Sequence, residues 1–196
     1  MKREYQDIIS KYMGTEPIEI NSALVSAQNR VRLYWTNIPG IEQPTDKGIN
    51  LLDILENTEY IGLGAIRGRR LNKATILGRR LNSKGHREDY NKDIPITQCL
   101  EVRETNTNKS NCLTTVDKDN VLTPLPIGRH PNAFKNKLPF RYYTVKEYCR
   151  LQTLSDNYLE TCSENQAKKL VGNGWTVDVI VHIFKNLKVQ KIEKTA

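Results

Sequence analysis

Several of the usual pointers to function are missing or scarce in this 196-residue chain. No run reaches the roughly 18 consecutive apolar residues of a membrane span, so no membrane contact is expected. Met1-Lys2-Arg3-Glu4-Tyr5 leads into no apolar segment, so no secretory signal is expected either. Only three histidines (His86, His130, His182) and four cysteines (Cys99, Cys112, Cys149, Cys162) occur, and no cysteine pair has C-x-x-C spacing. That excludes the ordinary zinc frameworks, and no metal is expected. The scattered cysteines fit reduced thiols, hence a cytoplasmic protein. Acid is short as well: 22 Asp and Glu face 30 Lys and Arg, a formal charge of +8. A surplus of that size favours a polyanionic partner, nucleic acid first.

The most informative run that is present is Gln28-Asn29-Arg30-Val31-Arg32-Leu33-Tyr34-Trp35-Thr36-Asn37. Val31, Leu33 and Trp35 alternate with Arg32, Tyr34 and Thr36, the period of a half-buried strand. Arg30 and Arg32 then share a face one pleat apart and form a comb of fixed positive charge. Such a comb suits phosphate or the polar edge of a base, although solvated arginines on a strand are common.

Around this strand the chain reads as an α/β layer. Ile8, Ile9, Tyr12 and Met13 recur at helical spacing and Gly14 is a helix stop. Residues 17–25 read as a strand, and Leu51 to Leu55 as a short helix. From residue 61 to 85 the composition shifts to five glycines and many arginines, with Gly68-Arg69-Arg70-Leu71-Asn72 repeated as Gly78-Arg79-Arg80-Leu81-Asn82. Arg67, Arg69, Arg70, Arg79, Arg80 and Lys84 are candidates for a DNA-facing strip, with a flexible basic loop as the alternative. Strands are expected at 99–103, at 112–116 and from Val121, followed by an irregular proline-rich connector at 124–139. Thr144-Val145-Lys146-Glu147 has the capping-box pattern of a helix start. Ser163-Glu164-Asn165-Gln166 can start another helix, ending at Gly172-Asn173-Gly174. Val177, Ile180, Val181, Phe184 and Leu187 form the stripe of a last helix, and Lys188, Lys191 and Lys194 a solvated tail.

Three separated blocks carry a family resemblance: Gln28-Asn29-Arg30-Val31-Arg32, then Arg141 to Gln152 (RYYTVKEYCRLQ), then Gly172 to Ile180 (GNGWTVDVI). In type, order and spacing they resemble motifs VIII, IX and X of the DNA cytosine-5 methyltransferase family. Leu113-Thr114-Thr115 looks like part of that family's target recognition domain, which lies between motifs VIII and IX. The resemblance covers essentially the whole chain. It implies a partial S-adenosylmethionine-dependent methyltransferase core, made of the last strands and helices at 1–57 and 139–196. A small β-rich target recognition lobe would occupy 58–138. The family transfers a methyl group from S-adenosyl-L-methionine to C5 of a cytosine flipped out of double-stranded DNA, because the reactive carbons are inaccessible in the stack. By similarity, Arg30 and Arg32 line the target-base pocket, and Arg32 is the better candidate for a hydrogen bond to cytosine O2. Asn173, Gly174 and Trp175 close one wall of the cofactor site. Gln28, Arg141, Glu147, Arg150 and Gln152 support these parts.

The departures from the family pattern matter as much. The sequence has no Phe-x-Gly-x-Gly loop, no Pro-Cys pair for the nucleophile, and no Glu-Asn-Val; Glu56-Asn57-Thr58 and Glu164-Asn165-Gln166 fall in the wrong places. Cys149 sits on the buried face of its helix, where a thiol is usually inert. The expectation is therefore a C-terminal part of a bacterial or phage-type enzyme. It would act with an N-terminal methyltransferase half and be inactive alone. A catalytically inert DNA-binding or regulatory relative is the other reading. The first helix and the Val177–Leu187 face are expected to lack cover, so that a partner or self-association buries them.

Overall fold

In the computed structural model, residues 1–56, 71–102, 109–114 and 116–187 are described. The element order is α1 (Arg3–Met13), β1 (Ile18–Asn21), a 3-10 turn (Ser22–Leu24), β2 (Val31–Tyr34), α2 (Leu51–Ile54), β3 (Asn72–Arg80), β4 (Ile96–Val102), a 3-10 turn (Asp117–Asp119), β5 (Val121–Thr123), β6 (Gly128–His130), β7 (Arg141–Tyr142), α3 (Val145–Leu151), α4 (Glu164–Asn173) and α5 (Val177–Phe184). This is a mixed α/β architecture with two sheets. Arg67, Arg69, Arg70, the first copy of the Gly-Arg-Arg repeat and the lysine tail lie outside the described residues.

The local signals that start and stop elements act as the sequence suggests. Gly14 ends α1 in the left-handed region at φ 66°, which a Cβ would disfavour. Thr144 and Glu147 close a reciprocal capping box on α3, and Ser163 and Gln166 do the same on α4. A third box, Asn50 with Asp53, holds the single turn of α2.

β1 and β2 form a two-stranded antiparallel sheet, with Ile20 opposite Arg32 and Asn21 opposite Val31. One face of it packs on α5 through Ile20, Val25, Val179 and Ile183. α1 is tied on by Trp35, whose indole Nε1–H donates to Ser10 Oγ at 3.0 Å. The second sheet has the order β6-β4-β3-β5-β7, antiparallel throughout. Its core is Ala74, Ile76, Leu100, Val102, Val121 and Ala133. β7 lies past residue 138, so this sheet runs on into the block expected to begin the core. A third cluster joins α2, α3 and α4 to Leu113, Leu122 and Tyr143 beneath that sheet.

Several expected elements differ. The strand expected at 17–25 ends at Asn21, whose side chain accepts from Ala23 N–H and caps the Ser22–Leu24 turn, and β2 begins at Val31, so Arg30 precedes it. Of the strand expected at 112–116, the described residues 112–114 and 116 are not in one: Leu113 N–H donates to Gln28 Oε1 at 3.2 Å and Leu113 O accepts from Arg30 at 2.9 Å. Cys112 O accepts from Asn120 Nδ2 at 3.1 Å. Side chains from distant segments satisfy its backbone, so no ladder is needed. The proline-rich connector in turn contains β6, which pairs with β4 through Leu100 and His130.

Candidate nucleotide site at the junction of three segments

The segment 28–30, which leads into β2, is where the chain's distant segments meet. Gln28 is fully buried. Its Nε2 donates to Leu151 O at 2.7 Å and to Gln152 Oε1 at 2.9 Å, while its Oε1 accepts from Leu113. Gln152 in turn donates to Val171 O at 2.7 Å and accepts from the Thr176 hydroxyl at 2.8 Å. Asn29 N–H and Ala27 O pair with Ser110, which draws the strand against the segment before Cys112. A buried amide pair with every group bonded fixes a unique packing and is costly to disturb.

Arg30 is 3% exposed. Its Nη1 donates to Leu113 O at 2.9 Å and lies 3.3 Å from Cys112 Sγ. Its Nη2 donates to Gly172 O at 3.1 Å and Gly174 O at 2.8 Å. Only Nε has no acceptor. The fork geometry of guanidinium lets one side chain bridge two segments that a lysine could not. Burial is the main cause that lowers its pKa, with nearby Arg32 adding to the effect. Arg30 is thus a clamp, with both terminal nitrogens engaged.

Arg32 is different. It is half-buried, its Nη1 donates to Val31 O at 2.8 Å, and its Nη2 lies 3.5 Å from Cys112 Sγ. Both arginines therefore reach the same sulfur, Arg32 from β2 and Arg30 from just before it, so the two are not one pleat apart on a single strand as the alternation suggests. Arg32 keeps donors without a protein acceptor among the described residues. Cys112 is half-exposed, and no signal in the sequence singled it out as a neighbour of the arginine comb.

The Gly-Asn-Gly turn ends α4. A Cβ at Gly174 would stand 3.0 Å from Leu170 O, so a side chain there would press on the helix's last turn. Asn173 is exposed, and Trp175 is 65% exposed. Beside Trp175 lies a cavity of 410 Å³ lined by Leu154, Tyr158, Leu170, Val171 and Ile180 among others. An exposed indole over an apolar hollow is an unusual surface for a folded chain and suits a flat aromatic ligand.

The remaining candidates are placed as follows. Glu147, fully buried, makes a two-pronged pair with Arg141 at 2.8 Å on each oxygen and also accepts from Thr144 N and Glu56 N. Arg150 donates to Asp156 at 2.8 Å and to Ile54 O at 3.0 Å. Cys149 is fully buried, and burial pushes its thiol pKa up. On the second sheet Arg79 donates to Glu101 at 2.7 Å and stands 3.6 Å from Asp89. Arg80 is bonded to the carbonyls of Lys92 and Ile94. These two candidates for DNA contact are engaged within the fold. Lys84 is exposed near a hairpin tip and forms no ion pair among the described residues.

Among the described residues no cluster of His, Cys, Asp and Glu could hold a metal, and no helix is long and apolar enough to cross a membrane. The model of the C-5 cytosine-specific DNA methylase family matches residues 25–189. That span takes in the arginine strand, the second sheet and the Gly-Asn-Gly turn. Arg30 physically joins the first and last of these. The chain belongs to the C-5 cytosine-specific DNA methylase family.

Proposed function

We propose that this chain is the DNA-reading and base-holding part of a DNA (cytosine-5-)-methyltransferase. It methylates C5 of cytosine in duplex DNA only together with a polypeptide that carries the Pro-Cys and Glu-Asn-Val motifs. The observation that supports this most is the Arg30 clamp: two bonds to Gly172 and Gly174 carry the arginine strand to the Gly-Asn-Gly turn. The base pocket and one wall of the cofactor site then lie side by side, as methyl transfer requires.

The roles divide by available donors. Arg30 holds the walls together, and Arg32 offers its uncommitted N–H groups to cytosine O2, where a bidentate-capable cation binds well. Gln28 and Gln152 keep the strand in register. S-Adenosyl-L-methionine supplies the methyl group when bound. The residues present fit one wall of its site: the Trp175 indole and the apolar hollow beside it suit an adenine ring, and Asn173 offers an exposed amide. None of the four cysteines follows a proline, and the buried Cys149 cannot replace the nucleophile. The five-stranded sheet serves as the target recognition lobe.

The partner polypeptide would cover an apolar surface left open here. Tyr5, Ile8 and Tyr12 line one side of α1, with Tyr12 87% exposed, and Val181, Phe184 and Leu187 are exposed on and just after α5. The two-stranded sheet between them has open edges among the described residues, which a further strand can extend.

The test is methyl transfer from labelled S-adenosylmethionine to duplex DNA. The expected result is DNA binding without transfer by the chain alone, and transfer after a polypeptide bearing the two missing motifs is added. Binding with no transfer under any mixing would favour the inert relative. Transfer by the isolated chain would refute the division of labour.

A further inference from the structure

We propose that the duplex phosphate backbone is gripped by a preorganised basic loop, Lys118, Lys135 and Lys137 around Phe134, and not by Arg79 and Arg80. This rests on the DNA-binding reading above and assigns that binding to a surface the sequence pattern did not single out.

Charge is the first argument. Between Asp119 and Glu147 the sequence contains no acid at all, yet it carries Arg129, Lys135, Lys137, Arg141 and Lys146. Arg141 is neutralised by buried Glu147, and Arg129 lies 3.4 Å from Glu101. Lys118, Lys135 and Lys137 are exposed and form no ion pair among the described residues. The Gly-Arg-Arg hairpin shows the reverse: Arg79 meets Glu101 and Asp89, and Arg87 meets Asp89. A phosphate approaching Arg79 would have to compete with two carboxylates, whereas Lys135 and Lys137 lie within the acid-free run, and Lys118, although flanked in sequence by Asp117 and Asp119, forms no ion pair among the described residues.

Rigidity is the second. The loop is pinned at Ala133, fully buried, whose N–H donates to Gln98 O at 2.9 Å on β4 and whose carbonyl accepts from Leu138 at 2.9 Å. Asn136 N–H closes a further turn onto Asn132 O at 2.8 Å. Asn132 and Lys137 take positive φ, at 56° and 46°, so the backbone between them is tightly folded. Phe134 stacks edge-on with Phe140 at 5.7 Å, and Lys118 Nζ sits 5.3 Å from its ring centre. A backbone held in this way presents its lysines with little loss of chain freedom on binding.

Continuity is the third. Asn120 Nδ2 bonds Cys112 O at 3.1 Å, and Thr114 Oγ1 donates to Asp119 Oδ2 at 2.6 Å. Cys112 is the residue both strand arginines touch. The loop is therefore connected through the Asp117–Asp119 turn to the proposed base pocket. A duplex lying on Lys118, Lys135 and Lys137 would bring a flipped base toward Arg32, and the 45%-exposed Phe134 ring offers a flat face to a sugar or base.

The experiment measures duplex affinity by fluorescence anisotropy at several salt concentrations. It compares the full chain, the K118Q/K135Q/K137Q variant, and a charge-matched K11Q/K169Q/K185Q control built from exposed lysines elsewhere. If each loop lysine meets one phosphate, the log–log salt slope becomes shallower by about 2.7, and affinity at low salt falls tenfold or more. The control keeps most of the slope. Equal losses in the two variants would show a response to net charge alone and overturn the proposal, as would an unchanged slope in the loop variant. Melting curves check that both variants fold. A wild-type chain that binds no duplex would instead sink the DNA-binding reading itself, and the loop proposal with it.

Discussion

Replacing Arg30 by methionine keeps a long apolar stem and deletes the clamp. The side chain is buried and donates to three backbone carbonyls at 2.9, 3.1 and 2.8 Å. A bond from a charged donor contributes about 1.5 kcal/mol at the low end, so the three together contribute about 4.5 kcal/mol. Removing the charge also relieves its desolvation, the effect that lowers the Arg30 pKa. Setting about 1–2 kcal/mol against the loss leaves a destabilisation of about 3 kcal/mol. For a chain of this size that lowers the melting temperature by about 6–12 °C. Arg30→Lys should recover little, because an ammonium cannot reach Leu113 and the two glycine carbonyls together. Arg32→Met, two residues along and also against Cys112, is the control. Arg32 is half-exposed and bonds only the neighbouring Val31 carbonyl and Cys112, so its loss should cost about 0.5 kcal/mol. Urea unfolding followed by circular dichroism and tryptophan fluorescence at pH 7 measures both variants. If R30M and R32M unfold at the same urea concentration, the clamp assignment is wrong.

Other parts of the structure give independent checks. Glu147→Gln should cost about 3 kcal/mol, since it removes the buried carboxylate charge that both terminal nitrogens of Arg141 face, and thermal unfolding would reveal it. Asp156 is held below the ordinary carboxylate range by its bonds from Arg150, and Glu56 by the Thr144 hydroxyl and Lys146. A depressed carboxylate stabilises the fold above its unfolded pKa and ceases to do so as pH falls through the folded value. Stability should therefore hold between pH 7 and 5 and decline below about pH 4, less steeply in D156N. Burial raises the thiol pKa of both Cys99 and Cys149. An aromatic disulfide reagent should accordingly titrate no more than Cys112 and Cys162 quickly in the native chain, and all four after unfolding. Tyr12→Glu, on the open side of α1, should leave melting within about 0.5 kcal/mol of wild type while weakening any self-association seen by sedimentation.

The sequence by itself determined the features whose causes lie within a few residues. Gly14 stops α1 because only glycine enters the left-handed region cheaply. Thr144 with Glu147, and Ser163 with Gln166, start their helices because the partners are three residues apart. Alternation found β2, though the strand begins one residue after Arg30, and three ordered blocks were enough to point to the family. Tertiary structure alone decided what those residues touch. Arg30 and Arg32 look equivalent in the sequence, yet one is buried against carbonyls more than 80 positions away and the other is left with open donors. The Leu113 segment reads as a strand until Gln28 and Arg30 are seen to satisfy its backbone. Arg79 reads as an uncommitted basic side chain until Glu101 is seen to pair with it from β4. In each case a bonding partner distant in the chain competes with the local tendency, and the spacing of residues carries no record of it.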